Sequence, residues 1–276
     1  MVGNFGMVDI AAGRFVVFGA VAAAIAATRP ASRRWPTARQ AVSALWLSVL
    51  GFTGYYLLLA FAIEASGTAV PSLIIGTIPV WMMLLGRPAG LRLQALLPGL
   101  ALTAAGIGLM VAGAWPEGGV EGAGGARFGW GLALALLAMA SWTAFGLLNA
   151  AWLQRHPEVH AADWANWLGV ATGIGAAALW LLSGSDIQTL RAQPNGALFL
   201  LLALAGGIGS SWLATVLWNL ASQRLSASLC GQLIVSETLF ALLYSFLWDR
   251  RWPAASESAA ALLFVLGIMA SIRAHR

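Results

Sequence analysis

The chain of 276 residues is 60% hydrophobic and only 9% charged, and its 15 basic residues, all arginine, outweigh ten acidic ones to leave a net charge of +5. A soluble domain carries about 25% charged residues, so a soluble fold is excluded, and an excess of arginine in short loops speaks to membrane orientation rather than to nucleic acid. The single cysteine, Cys230, excludes an internal disulfide and a cysteine metal cluster.

The start, MVGNFGMVDIAAGRF, has no basic stretch followed by an apolar core and does not read as a cleaved signal peptide. Nine hydrophobic segments follow, each close to the ~20 residues that span a bilayer: Gly13–Thr28, Ala41–Ile63, Thr68–Gly86, Leu93–Trp115, Phe128–Leu153, Asp163–Ser183, Gly196–Ala221, Ala227–Trp248 and Ser258–Ile272. The expected fold is an all-α integral membrane protein with nine transmembrane helices. The runs are continuous and far exceed the ~10 residues of a barrel strand, and they do not alternate. The glycine-rich link Pro116–Arg127 separates four segments from five, and Asp186–Asn195 reads as the other sizeable loop.

Loop charge orients the chain. Arg29, Arg33, Arg34, Arg39, Arg87, Arg92, Arg155, Arg224, Arg273 and Arg276 share one side. Arg14, Arg127, Arg191, Arg250 and Arg251 share the other, with Asp9, Glu64, Glu117, Glu121, Asp186, Asp249 and Glu257. The richer side is expected in the cytoplasm, with the C-terminus on it.

Within the segments, polar and aromatic groups mark candidate binding positions. Tyr55 and Tyr56 carry hydroxyls that need partners in apolar surroundings. Thr77 and Pro79 interrupt a helix near Trp81, which is tolerated where neighbours or a cavity re-satisfy the backbone. Trp142 and Asn149 lie seven apart on one face, and Trp212, Thr215 and Asn219 share a stripe bordered by Ser211 and Trp218. The segment ASLCGQLIVSETLFALLYSFLW carries Glu237 near its middle, on one line with Cys230 and Tyr244, with Gln232 and Ser236 on the neighbouring line. An acid at that depth is expected to face a bundle interior or a water-filled cavity and to mark a solute or proton path. A protonated glutamate bonded to a neighbouring helix is the plainer alternative.

Other residues have plainer readings. Trp35, Trp115, Trp130, Trp248 and Trp252 sit at segment ends as interfacial anchors, and abundant Ala and Gly let helices approach closely. His156 and His160 flank Glu158 at a metal-like spacing, but no third ligand is evident and the loop is expected in solvent. Asp163 is expected to cap a helix. Arg14 reads either as a snorkelling arginine or as a cavity-mouth residue for anionic groups.

Two internal matches suggest a repeat. VDIAAGRF (Val8–Phe15) lies over VHAADWAN (Val159–Asn166), and Ala62–Trp81 over Ala221–Phe240. The first repeat is assigned to residues 1–126 and the second, inverted, to 127–276. The second opens with Phe128–Leu153, which has no counterpart in the first, so an inverted five-plus-five plan predicts one more helix upstream, with Gly3, Asn4 and Phe5 its remnant.

On the Arg14-Phe15 pair, the TIPVW turn-helix within Ala65–Gly86, LWNLASQRLSAS at Leu217–Ser228 and SETLFALLYSFLWDRRWP at Ser236–Pro253, the chain resembles the drug/metabolite transporter superfamily in its EamA-type branch. Where that branch shows Glu-Pro, this chain has Glu237-Thr238. The resemblance implies a ten-helix basket of two inverted repeats around a central cavity, here lacking the first helix. It implies a lining from Ala41–Ile63, Thr68–Gly86, Phe128–Leu153, Gly196–Ala221 and Ala227–Trp248.

The expected function is export of small organic metabolites, amino acids first among them, by alternating access in a bacterial inner membrane. The partners are the substrate, the bilayer and protons, and neither cofactor nor metal is expected. The substrate-binding candidates are Tyr55, Tyr56, Thr77, Trp81, Trp142, Asn149, Trp212, Thr215, Asn219, Gln232, Ser236, Glu237 and Tyr244. A nucleotide-sugar or quaternary-cation carrier of the same fold is the alternative, and a passive channel ranks below it. A membrane enzyme ranks lowest, because neither a Ser/His pair nor an HExxH motif falls in the segments.

Overall fold

The computed structural model describes residues 5–30, 35–114, 125–250 and 252–275. Gly3, Asn4, Arg33, Arg34, Trp115, Glu117, Glu121, Arg251 and Arg276, which entered the expectations above, lie outside these residues, as do the side chains of Trp248 and Asp249. The described residues are helical and contain no strand.

The helices in chain order are α1 (Met7–Ala27), α2 (Ala38–Ser66), α3 (Ala69–Ile75), α4 (Ile78–Leu85), α5 (Leu93–Ala114), α6 (Ala126–Arg155), α7 (Ala161–Ser183), α8 (Ile187–Ala192), α9 (Gly196–Arg224), α10 (Ala227–Asp249) and α11 (Ala255–Ala274). Eight of them, α1, α2, α5, α6, α7, α9, α10 and α11, are long and apolar enough to cross a bilayer. The ninth expected span, Thr68–Gly86, is instead two short helices. Thr77 breaks it: its hydroxyl donates to the Ile74 carbonyl at 2.6 Å, and Pro79 in the first turn of α4 has no N–H to continue the ladder.

Most helix ends fall within three residues of expectation. The exception is α1, which starts at Met7 rather than Gly13, because Asp9, read as a loop charge, is inside the helix. Asp186–Asn195, expected as a loop, contains α8. Asp186 caps it by accepting the Thr189 N–H at 2.6 Å, and this bond holds the carboxyl below its usual range.

The chain forms two compact units that draw on both ends of the sequence: Met1–Ala60 with Leu148–Arg224, and Phe61–Leu147 with Leu225–Arg276.

In the first unit α1 lies along α7, with α2 and α9 beside them. The α1–α7 crossing is closer than side chains allow: a Cβ on Gly19 would sit 2.6 Å from Gly173 Cα, and one on Gly173 would sit 2.7 Å from Gly19 Cα. Small residues at a crossing let backbones meet where lipid gives no hydrophobic drive. Beside it Phe15, Phe18, Ala22 and Ala176 form a buried cluster flanked by Phe52, Tyr56 and Trp212. Both α2 and α9 are interrupted by π-helical segments, Val49–Thr53 and Gly206–Leu213.

In the second unit α5 packs along α11 and α4 along α10. The turn after α4 is tied to the start of α10: Ser228 N–H donates to the Gly86 carbonyl at 3.1 Å and its hydroxyl to the Met83 carbonyl at 3.0 Å. Met83, Leu96 and Leu100 form one buried cluster, and Val235, Ala260 and Phe264 another.

A valine at Gly173 should force the α1–α7 crossing apart. Overpacking costs about 1–3 kcal/mol, so the purified variant should unfold several degrees below the parent in a thermal melt in detergent. An unchanged midpoint would contradict the crossing described.

Candidate functional site

The first unit contains a charged centre. Arg14 lies seven residues into α1, about 10 Å along its axis at the usual helical rise, and is half-buried. Its Nε donates to Ser211 Oγ at 2.8 Å, Nη1 to Tyr56 Oη at 2.9 Å and Nη2 to the Ser210 carbonyl at 3.1 Å. The guanidinium carbon stands 5.5 Å from the ring centres of both Phe15 and Tyr56, within range of a cation–π attraction.

The α9 π segment makes this possible. A Cβ on Gly207 would meet Val17 Cγ1 at 2.5 Å and the Arg14 carbonyl at 2.9 Å, so glycine lets the segment lie against α1. Three consecutive residues then act separately. Ser210 offers its carbonyl and Ser211 its hydroxyl to Arg14, while Trp212 Nε1 donates to Asn166 Oδ1 at 2.9 Å. π-bulges are rare and gather at functional sites.

Farther along, α6, α7 and α9 are joined by a buried polar chain. Trp164 Nε1 donates to Asn149 Oδ1 at 2.8 Å, Asn149 Nδ2 to Asn219 Oδ1 at 3.0 Å, and Asn219 Nδ2 to the Ala161 carbonyl at 3.3 Å. Asn149, Asn219 and Trp164 are fully buried. Trp152 stacks on Trp164 at 3.5 Å and on His156 at 4.2 Å. His156, expected in solvent, is thus half-buried against that stack, with a ring nitrogen 2.8 Å from the Trp152 carbonyl. Asp163, expected as a cap, instead pairs with Arg29 at 3.4 Å, and the cap position belongs to His160.

The remaining candidates divide between the units. Tyr55 is buried, edge-on to Tyr56 at 5.1 Å, and Thr215 is buried on α9. In the second unit Gln232 is fully buried: its Nε2 donates to Thr103 Oγ1 at 3.2 Å and its Oε1 accepts from Ser271 Oγ at 3.1 Å. Trp81 Nε1 donates to Thr77 Oγ1 at 3.2 Å, and Trp142 stands 6.1 Å from Phe145. Ser236 Oγ turns back to the Leu233 carbonyl at 2.6 Å.

Glu237 and Tyr244 are exposed, whereas Cys230 on the same line of α10 is buried. Glu237 makes no ion pair among the described residues. The structure therefore places Tyr55, Tyr56, Asn149, Trp212, Thr215 and Asn219 in the first unit and the other seven candidates in the second.

The candidates omit Asp9, Trp164, Asn166, Thr103 and Ser271. Asp9 is buried and accepts both the Ser185 N–H at 2.9 Å and its O–H at 2.7 Å. Asn166 carried a signal in the sequence, being an amide inside an apolar segment, as did Thr103. Nothing local to Asp9 announces a partner 176 positions away.

With this geometry in hand, comparison places the chain among known proteins. No profile of a known protein family matches it. Inner membrane protein YtfF of Escherichia coli (strain K12) is 33% identical over 275 residues, covering 95% of this chain and 85% of that protein. The chain belongs to the YtfF family. Together with eight apolar spans, membership supports a multi-pass inner-membrane protein. A solved chain described only as "Crystal structure of protein" superposes with a TM-score of 0.77 at 20% identity, covering 100% of this chain and 91% of that one. The likeness extends the fold to an experimentally solved relative in shape.

Removing one member of the asparagine chain should strand the others. Trp164→Phe keeps the stacked ring but leaves Asn149 Oδ1 without its donor, a loss of about 1–3 kcal/mol for a buried polar group. Tyr56→Phe, at a half-buried hydroxyl, should cost less. Thermal unfolding of the two purified variants checks the order; equal midpoints would refute it.

Proposed function

We propose that the chain is a carrier of the drug/metabolite transporter superfamily, EamA-type. In this reading two inverted repeats move small organic metabolites, amino acids first, out of the cell by alternating access around an aromatic-lined cavity. It is read as a carrier rather than an enzyme, with protons as the coupling partner.

The observation that carries this reading is Glu237. It lies ten residues from the start of α10 and twelve from its end, and it is exposed. A charged residue held in hydrocarbon at mid-span costs about 2.5–3.5 kcal/mol on insertion scales. A cavity that admits water and substrate removes that cost, and there the carboxylate can hold a substrate ammonium or exchange a proton.

Interrupted helices support the same reading. Irregular backbone at membrane depth is tolerated where it is buried in protein or lines a water-filled cavity, and carriers build their sites from discontinuous helices. This chain has π segments in α2 and α9 and a break between α3 and α4. The name YtfF describes a membrane location and no substrate, so the substrate class rests on the residues.

Liposomes containing the purified chain and loaded with labelled amino acids test the reading. Flux should saturate and show counterflow, and Glu237→Gln should reduce it at least about tenfold or flatten its pH dependence, the scale expected of a proton-transfer or charge-pairing group. Non-saturating flux would indicate a channel, and unaltered flux in the variant would remove the role of Glu237.

The arginine distribution also predicts a cytoplasmic C-terminus. A fluorescent protein fused after Arg276 should fluoresce and a periplasm-dependent phosphatase fused there should stay inactive. The opposite pattern would reverse the orientation.

A further inference from the structure

We propose that Arg14 is the binding site for an organic carboxylate that carries an apolar group. The inference does not need the carrier reading, since occupancy is measured without flux.

The first support is charge. A guanidinium is a cationic group with donors only, and each of its described partners here is neutral: two hydroxyls and one carbonyl. The acid nearest along α1, Asp9, has both oxygens committed to Ser185. The ion pair among the described residues is Arg29 with Asp163. Inside a span an ionisable side chain pairs with another charge or with backbone carbonyls; Arg14 has one carbonyl and no acid, and a ligand carboxylate would supply the missing charge.

The second support is direction. An arginine has five N–H donors, of which Arg14 uses one on Nε and one on each terminal nitrogen. One donor on Nη1 and one on Nη2 remain, and charge-assisted N–H···O bonds to a carboxylate are the stronger kind. Tyr56, Ser211 and the Ser210 carbonyl fix the plane beforehand, so little side-chain freedom is lost on binding.

The third is the neighbouring surface. Phe15 and Tyr56, the rings against the guanidinium, also wall an apolar cleft with Met7, Val8, Thr53 and Leu57. Arg14 is not on the wall of this narrow cleft, so the apolar surface offered to a carboxylate's substituent is the half-buried Tyr56 ring beside the guanidinium, which favours hydrophobic amino acids and aryl or branched-chain acids over small hydrophilic ones.

Phenylalanine, 3-phenylpropionate and phenethylamine share a ring and differ in their charged ends. Titrated calorimetrically into the full chain in phosphatidylcholine nanodiscs, the first two should bind and the amine should not. Arg14→Gln should weaken carboxylate binding about tenfold or more, the scale of a hydrogen-bonded charge pair. Arg14→Lys should fail to restore it, because a point charge cannot fork. Ser211→Ala keeps the charge but loosens its plane, and should weaken binding by a smaller factor.

Equal binding of all three probes, or full affinity in Arg14→Gln, overturns the proposal. So does native mass spectrometry that finds phosphatidylglycerol retained by the parent, lost from Arg14→Gln and not displaced by either carboxylate, since Arg14 would then hold a lipid headgroup. Carboxylate binding without liposome flux would leave this site standing and sink the carrier; flux with unchanged binding in Arg14→Gln would do the reverse.

Discussion

Hydrocarbon offers no hydrogen bonds, and this constraint shapes the chain. Each backbone N–H and C=O inside the bilayer must find a partner within the protein, so continuous helix is the default and every departure needs a local answer. At the α3–α4 break the answer is Thr77, whose hydroxyl takes the Ile74 carbonyl. In the α9 π segment the Ser210 carbonyl takes an N–H of Arg14, and the Ser210 hydroxyl takes the Gly206 carbonyl at 3.0 Å. A disrupted helix and a half-buried arginine thus solve each other's problem. The irregular backbone gains a donor, and the guanidinium gains acceptors it could not obtain from lipid.

The same constraint changes what holds helices together. Lipid tails are as apolar as leucine, so association rests on close fit and on polar bonds between helices. Each unit uses both. In the first, the Gly19–Gly173 approach is accompanied by the Arg14 centre and, farther along, by the Asn149–Asn219–Trp164 chain. In the second, α5, α10 and α11 are joined by Gln232, Thr103 and Ser271. Chains of this kind resist rearrangement, because opening one bond strands a fully buried amide.

These physical terms explain what was legible in the sequence. Span number and ends were readable because length and hydropathy are local: eight segments became long helices and the ninth broke at Thr77–Pro79, as those residues indicate. The start of α1 is not legible because Asp9 looks like a loop charge until Ser185 is seen beside it. Which positions are polar was legible; which of them face one another was not. Asn149 and Asn219 read as lining residues, yet they lie 70 positions apart and satisfy each other. Gln232 read as a neighbour of Glu237 in a cavity wall, yet it is fully buried and Glu237 is exposed. Helical periodicity assigns residues to a line, and only the packing of other helices decides whether that line is covered.

That difference separates structural polar groups from working ones. A side chain fully buried among protein partners is closed to a solute, and this describes the asparagine chain and the glutamine centre. Arg14 in the first unit and Glu237 in the second differ in kind: both are ionisable, and neither has an ionic partner among the described residues. Folding alone would favour replacing such groups with apolar ones, since the stability of a span gains nothing from an uncompensated charge. A guanidinium held in plane by Tyr56 and Ser211 with donors to spare, and a carboxylate exposed at mid-span, are the arrangements expected where a chain keeps its charges for something it binds.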